Sequence, residues 1–187
     1  MKKVLFMVAV LFASLTASAQ QRVGGLEIIP KVGFNLANLA GDISNNSIKF
    51  ALNGGADAMY QVSPMIGLSG GLFVSAQGCE GDNDTSISLT SLNIPLLANF
   101  YVAPNLALKT GLQPGFCLSA KSKYKDHSYD IDTQTIYLDL PIGISYEISD
   151  FIIDARYNLG LTKVFKGSGS VRNSVIQFTI GYKIPVL

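Results

Sequence analysis

Charge is what this sequence has least of. Asp, Glu, Lys and Arg make up 14% of its 187 residues, against about 25% in ordinary soluble domains. A chain so poor in ions is badly equipped to cover a water-facing surface. The little charge present is balanced at +1, which excludes nucleic acid and other polyanions as partners. Histidine occurs once, at His127, and cysteine twice, at Cys79 and Cys117. No run of 18 or more apolar residues follows residue 20, so the chain has no transmembrane helix. The glycine clusters at Gly54, Gly55, Gly67, Gly70 and Gly71 open no helix, so they form no phosphate loop; they relieve crowding or mark bends in strands. No cofactor is expected.

The first 20 residues, MKKVLFMVAVLFASLTASAQ, combine Lys2 and Lys3 with an apolar run from Val4 to Ala13 and an Ala17-Ser18-Ala19 site. This is the pattern of a secretory signal peptide cut before Gln20. The expected organisation is a signal peptide over 1–19 and one domain over 20–187. The residue just after the expected cut is Gln20, not cysteine, so a lipoprotein is not expected.

The rest is alternation. Residues 151–161, FIIDARYNLGL, place Phe151, Ile153, Ala155, Tyr157, Leu159 and Leu161 on one side, with Asp154, Arg156 and Asn158 on the other. A period of two marks a strand. The same pattern predicts eight strands, near 26–37, 49–61, 65–77, 91–102, 105–118, 135–147, 151–161 and 174–184. Ser63-Pro64, Pro104-Asn105 and Ser149-Asp150 mark tight turns. The other four connections, LAGDISNNSI, GCEGDNDTSISLT, AKSKYKDHSYDIDTQ and TKVFKGSGSVRN, are long and polar. Short turns at one end and long loops at the other are the signature of an outer-membrane barrel.

Two barrels compete. A soluble, lipocalin-like ligand-binding barrel keeps its apolar face inside and crowds its outer face with Lys and Glu. Here the polar face is mostly Gly, Ser, Asn and Gln, and every strand charge falls on it: Glu27, Asp57, Asp139, Glu147 and Asp154 against Lys31, Lys49, Lys109, Arg156 and Lys183. Five acids cancel five bases, which suits a narrow interior where buried ions need partners. A lipid-facing Arg or Lys at mid-depth costs about 2–4 kcal/mol. The fold class expected is therefore all-β, an eight-stranded antiparallel up-and-down transmembrane β-barrel in the bacterial outer membrane. Eight strands leave room only for side chains, so the protein is not a porin. Tyr60, Tyr101, Tyr146 and Tyr182 fall near the short-turn ends and are candidates for an aromatic belt, although Tyr101 reads as lumen-facing.

Several segments resemble the PorT-like outer-membrane β-barrel family of Bacteroidetes: KVGFNLANLAGD (31–42), LNIPLLANFYV (92–102), LKTGLQPGFCLSAKSK (108–123), DARYNLGLTKV (154–164) and SVIQFTIGYKI (174–184). The resemblance implies an eight-stranded outer-membrane barrel. Some members of that family assist type IX secretion; most are small barrels without an assigned activity.

Candidate chemistry is sparse. His127, Ser128 and Asp130 lie too close together in one loop for triad geometry, which depends on spatial roles. Glu80, Asp82 and Asp84, like Asp126, Asp130 and Asp132, offer oxygens for a weak divalent site but lack EF-hand spacing. Neither catalysis nor a metal is expected. Cys79 and Cys117 sit at the same end of the barrel, and a disulfide between them requires the second long loop to fold over the mouth. Arg156 with Asp154, Asp57 and Glu147 reads as a rigidifying lumenal network in preference to a proton or ion relay. The expected function is that of a non-enzymatic surface or scaffold protein. It would be a monomer in contact with outer-membrane lipid and lipopolysaccharide, reaching a protein partner through its long loops. An accessory role in secretion is the alternative.

Overall fold

Three two-residue turns organise one end of the molecule. Pro64 and Met65 join Ser63 to its partner Ile66, Pro104 and Asn105 join Ala103 to Leu106, and Ser149 and Asp150 join Ile148 to Phe151. Ser149 adopts a φ of 55°, the left-handed backbone that the favoured two-residue hairpin turns use, whereas the other two turns open on proline, whose φ is fixed at about −65°. The computed structural model describes residues 23–40, 46–81, 85–124, 127–130, 135–163 and 172–186. The expected signal peptide lies outside these residues.

The described strands are β1 (Leu26–Ala40), β2 (Asn46–Ser63), β3 (Ile66–Gly81), β4 (Thr85–Asn93), β5 (Leu96–Ala103), β6 (Leu106–Tyr124), β7 (His127–Asp130), β8 (Ile136–Ile148), β9 (Phe151–Gly160), β10 (Arg172–Tyr182) and β11 (Ile184–Pro185). They make eight staves. β4 and β5 are one stave interrupted at Ile94 and Pro95, where proline supplies no N–H. The stave stays bonded to both neighbours there, because Gly71 N donates to Pro95 O at 3.0 Å and Ile94 N to Pro114 O at 2.9 Å. β11 continues β10 along β1. β7 is an outlying piece paired with β6.

All pairings are antiparallel, and β10 returns to β1 in register from Lys31↔Gly181 to Ala40↔Arg172. The sheet is thus a closed barrel, as the alternation predicts. The faces also fall where the alternation puts them. Ile142, Ile144, Ile176, Phe178 and Ile180 point outward, while Asn53, Gln77, Gln113 and Gln177 are buried within. Phe34 stacks outside between Phe50 and Phe178, with ring centroids 5.2 and 5.3 Å away. At the short-turn end Tyr60, Tyr146 and Tyr182 face out, Tyr182 meeting Phe151 edge-on at 5.2 Å. Tyr101 is buried inside.

The strands run further than the sequence pattern suggests. β2 has 18 residues and β6 has 19, whereas a tilted membrane strand needs about 9–11. Much of two segments read as loops is strand. One row of pairs, Ile48↔Cys79, Cys79↔Ile87, Ile87↔Ser122 and Ser122↔Tyr129, runs unbroken through β2, β3, β4, β6 and β7. The barrel wall therefore continues on one side as a five-stranded sheet at the long-loop end. Its segments are rich in Ser, Asn, Gly and Asp, residue types that read as turns.

Placing lysine on the outer face tests this arrangement. Ile142→Lys or Ile180→Lys is expected to lower the folding free energy in phospholipid vesicles by about 2–4 kcal/mol, read from reversible urea unfolding. An unchanged midpoint for both would show that these side chains do not meet lipid.

Candidate functional site

The inward-facing residues form layers along the barrel axis. Nearest the short turns, Ile29, Met59 and Ile152 pack into an apolar cluster, with Tyr101 against Ala107 beside it. In the same layer Tyr101 OH donates to Glu147 Oε1 at 2.8 Å, and Lys183 Nζ donates to Glu147 Oε2 at 2.5 Å. Glu27, half-buried, lies on this inward face at the same end.

One step further in, β1, β2, β6 and β9 each contribute to an ion cluster. Lys31 Nζ sits 2.7 Å from Asp57 Oδ2 and 3.3 Å from Asp154 Oδ2. Lys109 Nζ donates to Asp154 Oδ2 at 2.5 Å, and Arg156 Nε lies 2.9 Å from Asp154 Oδ1. All five side chains are buried. Two glycines make the room. A Cβ on Gly71 would collide with Asp57 Oδ1, and one on Gly143 would come within 2.5 Å of Arg156 Cγ. Phe73 closes the cluster from β3, its ring centroid 5.5 Å from Arg156 Cζ, a cation–π distance.

Above the ions the lining is amide. Asn53 Nδ2 donates to Asn35 Oδ1 at 2.7 Å, and Asn35 Nδ2 donates to Ser75 Oγ and to the Ala76 carbonyl, both at 2.8 Å. Gln177 Nε2 donates to Asn53 Oδ1 at 3.2 Å, and Asn158 Nδ2 to Gln177 Oε1 at 3.1 Å. Tyr137 OH donates to Asn93 Oδ1 at 2.8 Å, and Gln113 Nε2 donates to its cross-strand partner Asp139 Oδ2 at 3.4 Å. The Asn35–Ser75, Gln177–Asn53 and Tyr137–Asn93 bonds each skip a strand and so tie together staves that are not neighbours in the sheet.

Of the residues singled out in the sequence, Lys31, Asp57, Lys109, Asp154 and Arg156 come together in the central cluster. Glu147 and Lys183 form a separate pair, and Asp139 stands apart with Gln113. Lys49 is half-exposed near the long-loop end of β2. The cysteines do not meet. Cys79 is registered with Ile87, and Cys117 with Ser91 on the same strand β4. Four residues of strand are about 13 Å, beyond the roughly 7 Å that a bridge spans. The register sets their backbones further apart than a bridge spans, and Cys117 Sγ lies 3.7 Å from the Ser119 carbonyl. The acidic groups in the long connections and the His127 side chain lie outside the described residues. Among the described residues no group of His, Cys, Asp and Glu is arranged to hold a metal. Sequence reasoning missed the apolar layer. Its signal was present in Ile29, Met59 and Ile152, which are apolar residues at inward positions.

A closed barrel with an oily exterior and an ion-paired interior defines an outer-membrane β-barrel protein. The chain belongs to the family described as outer membrane protein beta-barrel domain, which matches residues 18–166. Among curated protein sequences none matches it. Its fold is similar to that of Ail, the attachment invasion locus protein of Yersinia pestis, in complex with the heparin analogue sucrose octasulfate. The TM-score is 0.58 at 17% identity, over 87% of this chain and 100% of that one. It is also similar to Neisserial surface protein A, with a TM-score of 0.57 at 15% identity, over 85% of this chain and 97% of that one. The location that follows is the outer membrane. The soluble lipocalin-like barrel is set aside, because that fold turns its apolar face inward and this one turns it outward.

Asp154 is the shared counter-ion of three cations. Asp154→Asn is expected to cost about 3–5 kcal/mol, the penalty for breaking a buried ion pair. Tyr101→Phe, which removes one donor from Glu147, should cost about 1.5–3 kcal/mol. Denaturant titration of the refolded barrels in detergent measures both. Equal losses for the two variants would show that the central cluster has no special weight.

Proposed function

We propose that the protein is a non-enzymatic outer-membrane barrel whose work is done outside the membrane, by the sheet that extends its wall. The observation that carries this reading is the five-stranded row through β2, β3, β4, β6 and β7. A wall built only to cross the bilayer needs no such extension. β7 pairs with β6 alone among the described strands, so its other edge offers unpaired N–H and C=O groups. An extended segment of a partner protein can add to such an edge. The barrel holds that edge at a fixed height above the lipid and lipopolysaccharide.

The charges around these strands do not favour a polyanion. Lys121, Lys123, Lys125, Lys163, Lys166 and Arg172 are offset by Asp42, Glu80, Asp82, Asp84, Asp126, Asp130 and Asp132. Electrostatic steering of a sulfated glycan needs an excess of positive charge. A protein segment is the better match, and the heparin analogue seen with Ail is not carried over. Membership of the PorT-like group rests on the five segments quoted above. A role in secretion would follow from that resemblance alone.

Ser128→Pro tests the reading by removing a strand donor and blocking strand addition at the edge. The variant should still migrate as a heat-modifiable barrel and remain in the outer membrane. Cells carrying it in place of the wild type should lose surface attachment while secreting their exported proteins normally. Intact attachment would exclude the β7 edge. A secretion defect in cells lacking the whole chain would favour the accessory role.

A further inference from the structure

Arg156 is among the largest fully buried side chains, and its guanidinium is only partly used. Nε faces Asp154 Oδ1 at 2.9 Å, whereas Nη1 and Nη2 have no hydrogen-bond partner among the described residues. Leaving charged donors buried and unmatched is expensive. Asp154 meets the guanidinium only at Nε, through Oδ1, while its Oδ2 meets Lys109 at 2.5 Å and Lys31 at 3.3 Å. The cluster sets three cations, Lys31, Lys109 and Arg156, against two carboxylates, Asp57 and Asp154.

The other inward carboxylates are too far along the axis to correct this. Gly143 lies opposite Arg156 in the register. Asp139 and Glu147 are each four residues from Gly143 on β8, about 13 Å along the strand. Asp139 accepts from Gln113, and Glu147 is engaged by Tyr101 and Lys183. Buried oxygens without partners remain in the lining, Asp57 Oδ1 and Asn158 Oδ1 among them, but none of them bonds Nη1 or Nη2, so an acceptor from outside the chain fits the place. A water molecule would accept a bond but leave the excess charge uncompensated in a low-dielectric interior.

We propose that the Arg156 guanidinium holds a small monovalent inorganic anion of the chloride class inside the barrel. One negative charge balances three cations against two carboxylates, and a spherical acceptor takes both N–H groups. A large anion is disfavoured because Phe73 packs over the guanidinium and Gly143 gives only enough room for the Arg156 stem. The lining also fits approach from the long-loop side, where the layer beyond Arg156 is amide, while the short-turn side is closed by Ile29, Met59 and Ile152.

Bromide is the probe. Wild-type crystals grown with bromide in place of chloride should show an anomalous-scattering peak within hydrogen-bonding distance of Nη1 or Nη2. Absence of a peak overturns the proposal. In parallel, unfolding of the detergent-refolded wild type is followed as chloride replaces gluconate at constant ionic strength. A ligand that binds only the folded state raises the midpoint with the logarithm of its concentration above Kd. A bromide peak without this rise means an adventitious ion only and also overturns the proposal. Arg156→Gln should abolish both signals, and a persisting chloride dependence in that variant would place the effect elsewhere. If Arg156→Gln does not fold, the two wild-type measurements decide the matter alone.

Discussion

Everything in this molecule depends on the seam between its first and last staves. In hydrocarbon no water is available to a free N–H or C=O, and each unmatched group costs several kcal/mol. The ten consecutive pairs joining β1 to β10, from Lys31↔Gly181 to Ala40↔Arg172, remove both edges of the sheet at once. β11 extends the seam to Glu27 and Ile28. Closure in turn fixes which residues face each other across the lumen. Lys31 meets Asp57 on its neighbour β2, and the narrow cylinder lets it also reach Asp154 on β9, with β10 between them.

Closure also explains why the interior is ionic. The outward positions are committed to lipid, so every polar residue of the wall must turn inward, where it has to be matched. The central cluster does this sparingly, with Asp154 shared among Lys31, Lys109 and Arg156. Breaking such an arrangement at one member strands the others, which makes the cluster a mutual lock among β1, β2, β6 and β9. The amide bonds of Asn35, Asn53, Asn158 and Gln177 repeat the same cross-bracing with neutral groups.

Much of this was legible in the sequence, for a physical reason. Alternation is strongest where one face meets lipid and the other meets ions, and residues 151–161 have both, so their faces were assigned correctly. The pattern failed where that contrast ends. Residues 46–48, 79–81, 85–90 and 121–124 are strand, but they are rich in Ser, Asn and Gly and read as loop, even where Ile87 and Leu89 alternate with serine. The Ile94-Pro95 interruption was also invisible, because the residues around it keep the alternation while the backbone alone is broken. Which ions pair with which could not be read from the strands taken one at a time. It depends on stagger between staves, and stagger places Asp154 beside Lys109 while leaving Asp139 to Gln113.

The two ends of the lumen are built differently, and that difference points to where the protein acts. Toward the short turns the axis is blocked by Ile29, Met59 and Ile152, and by Tyr101 held on Glu147. There the apolar cluster sits beside the Glu147–Lys183 pair, and side chains fill that end of the lumen. On the proposed reading the wall serves as a rigid mount. On that reading the cross-braced lumen supplies rigidity, and the strands β2, β3, β4 and β6 continue, past register shifts at Ile48/Asn53 and Thr90/Ser91, into the sheet that ends at β7. A flexible loop would lose conformational entropy on meeting a partner, whereas an edge already ordered by its continuation into the barrel loses far less. If the β7 edge is the binding surface proposed above, the buried ions and that edge are parts of one device, since the first keeps the second in place.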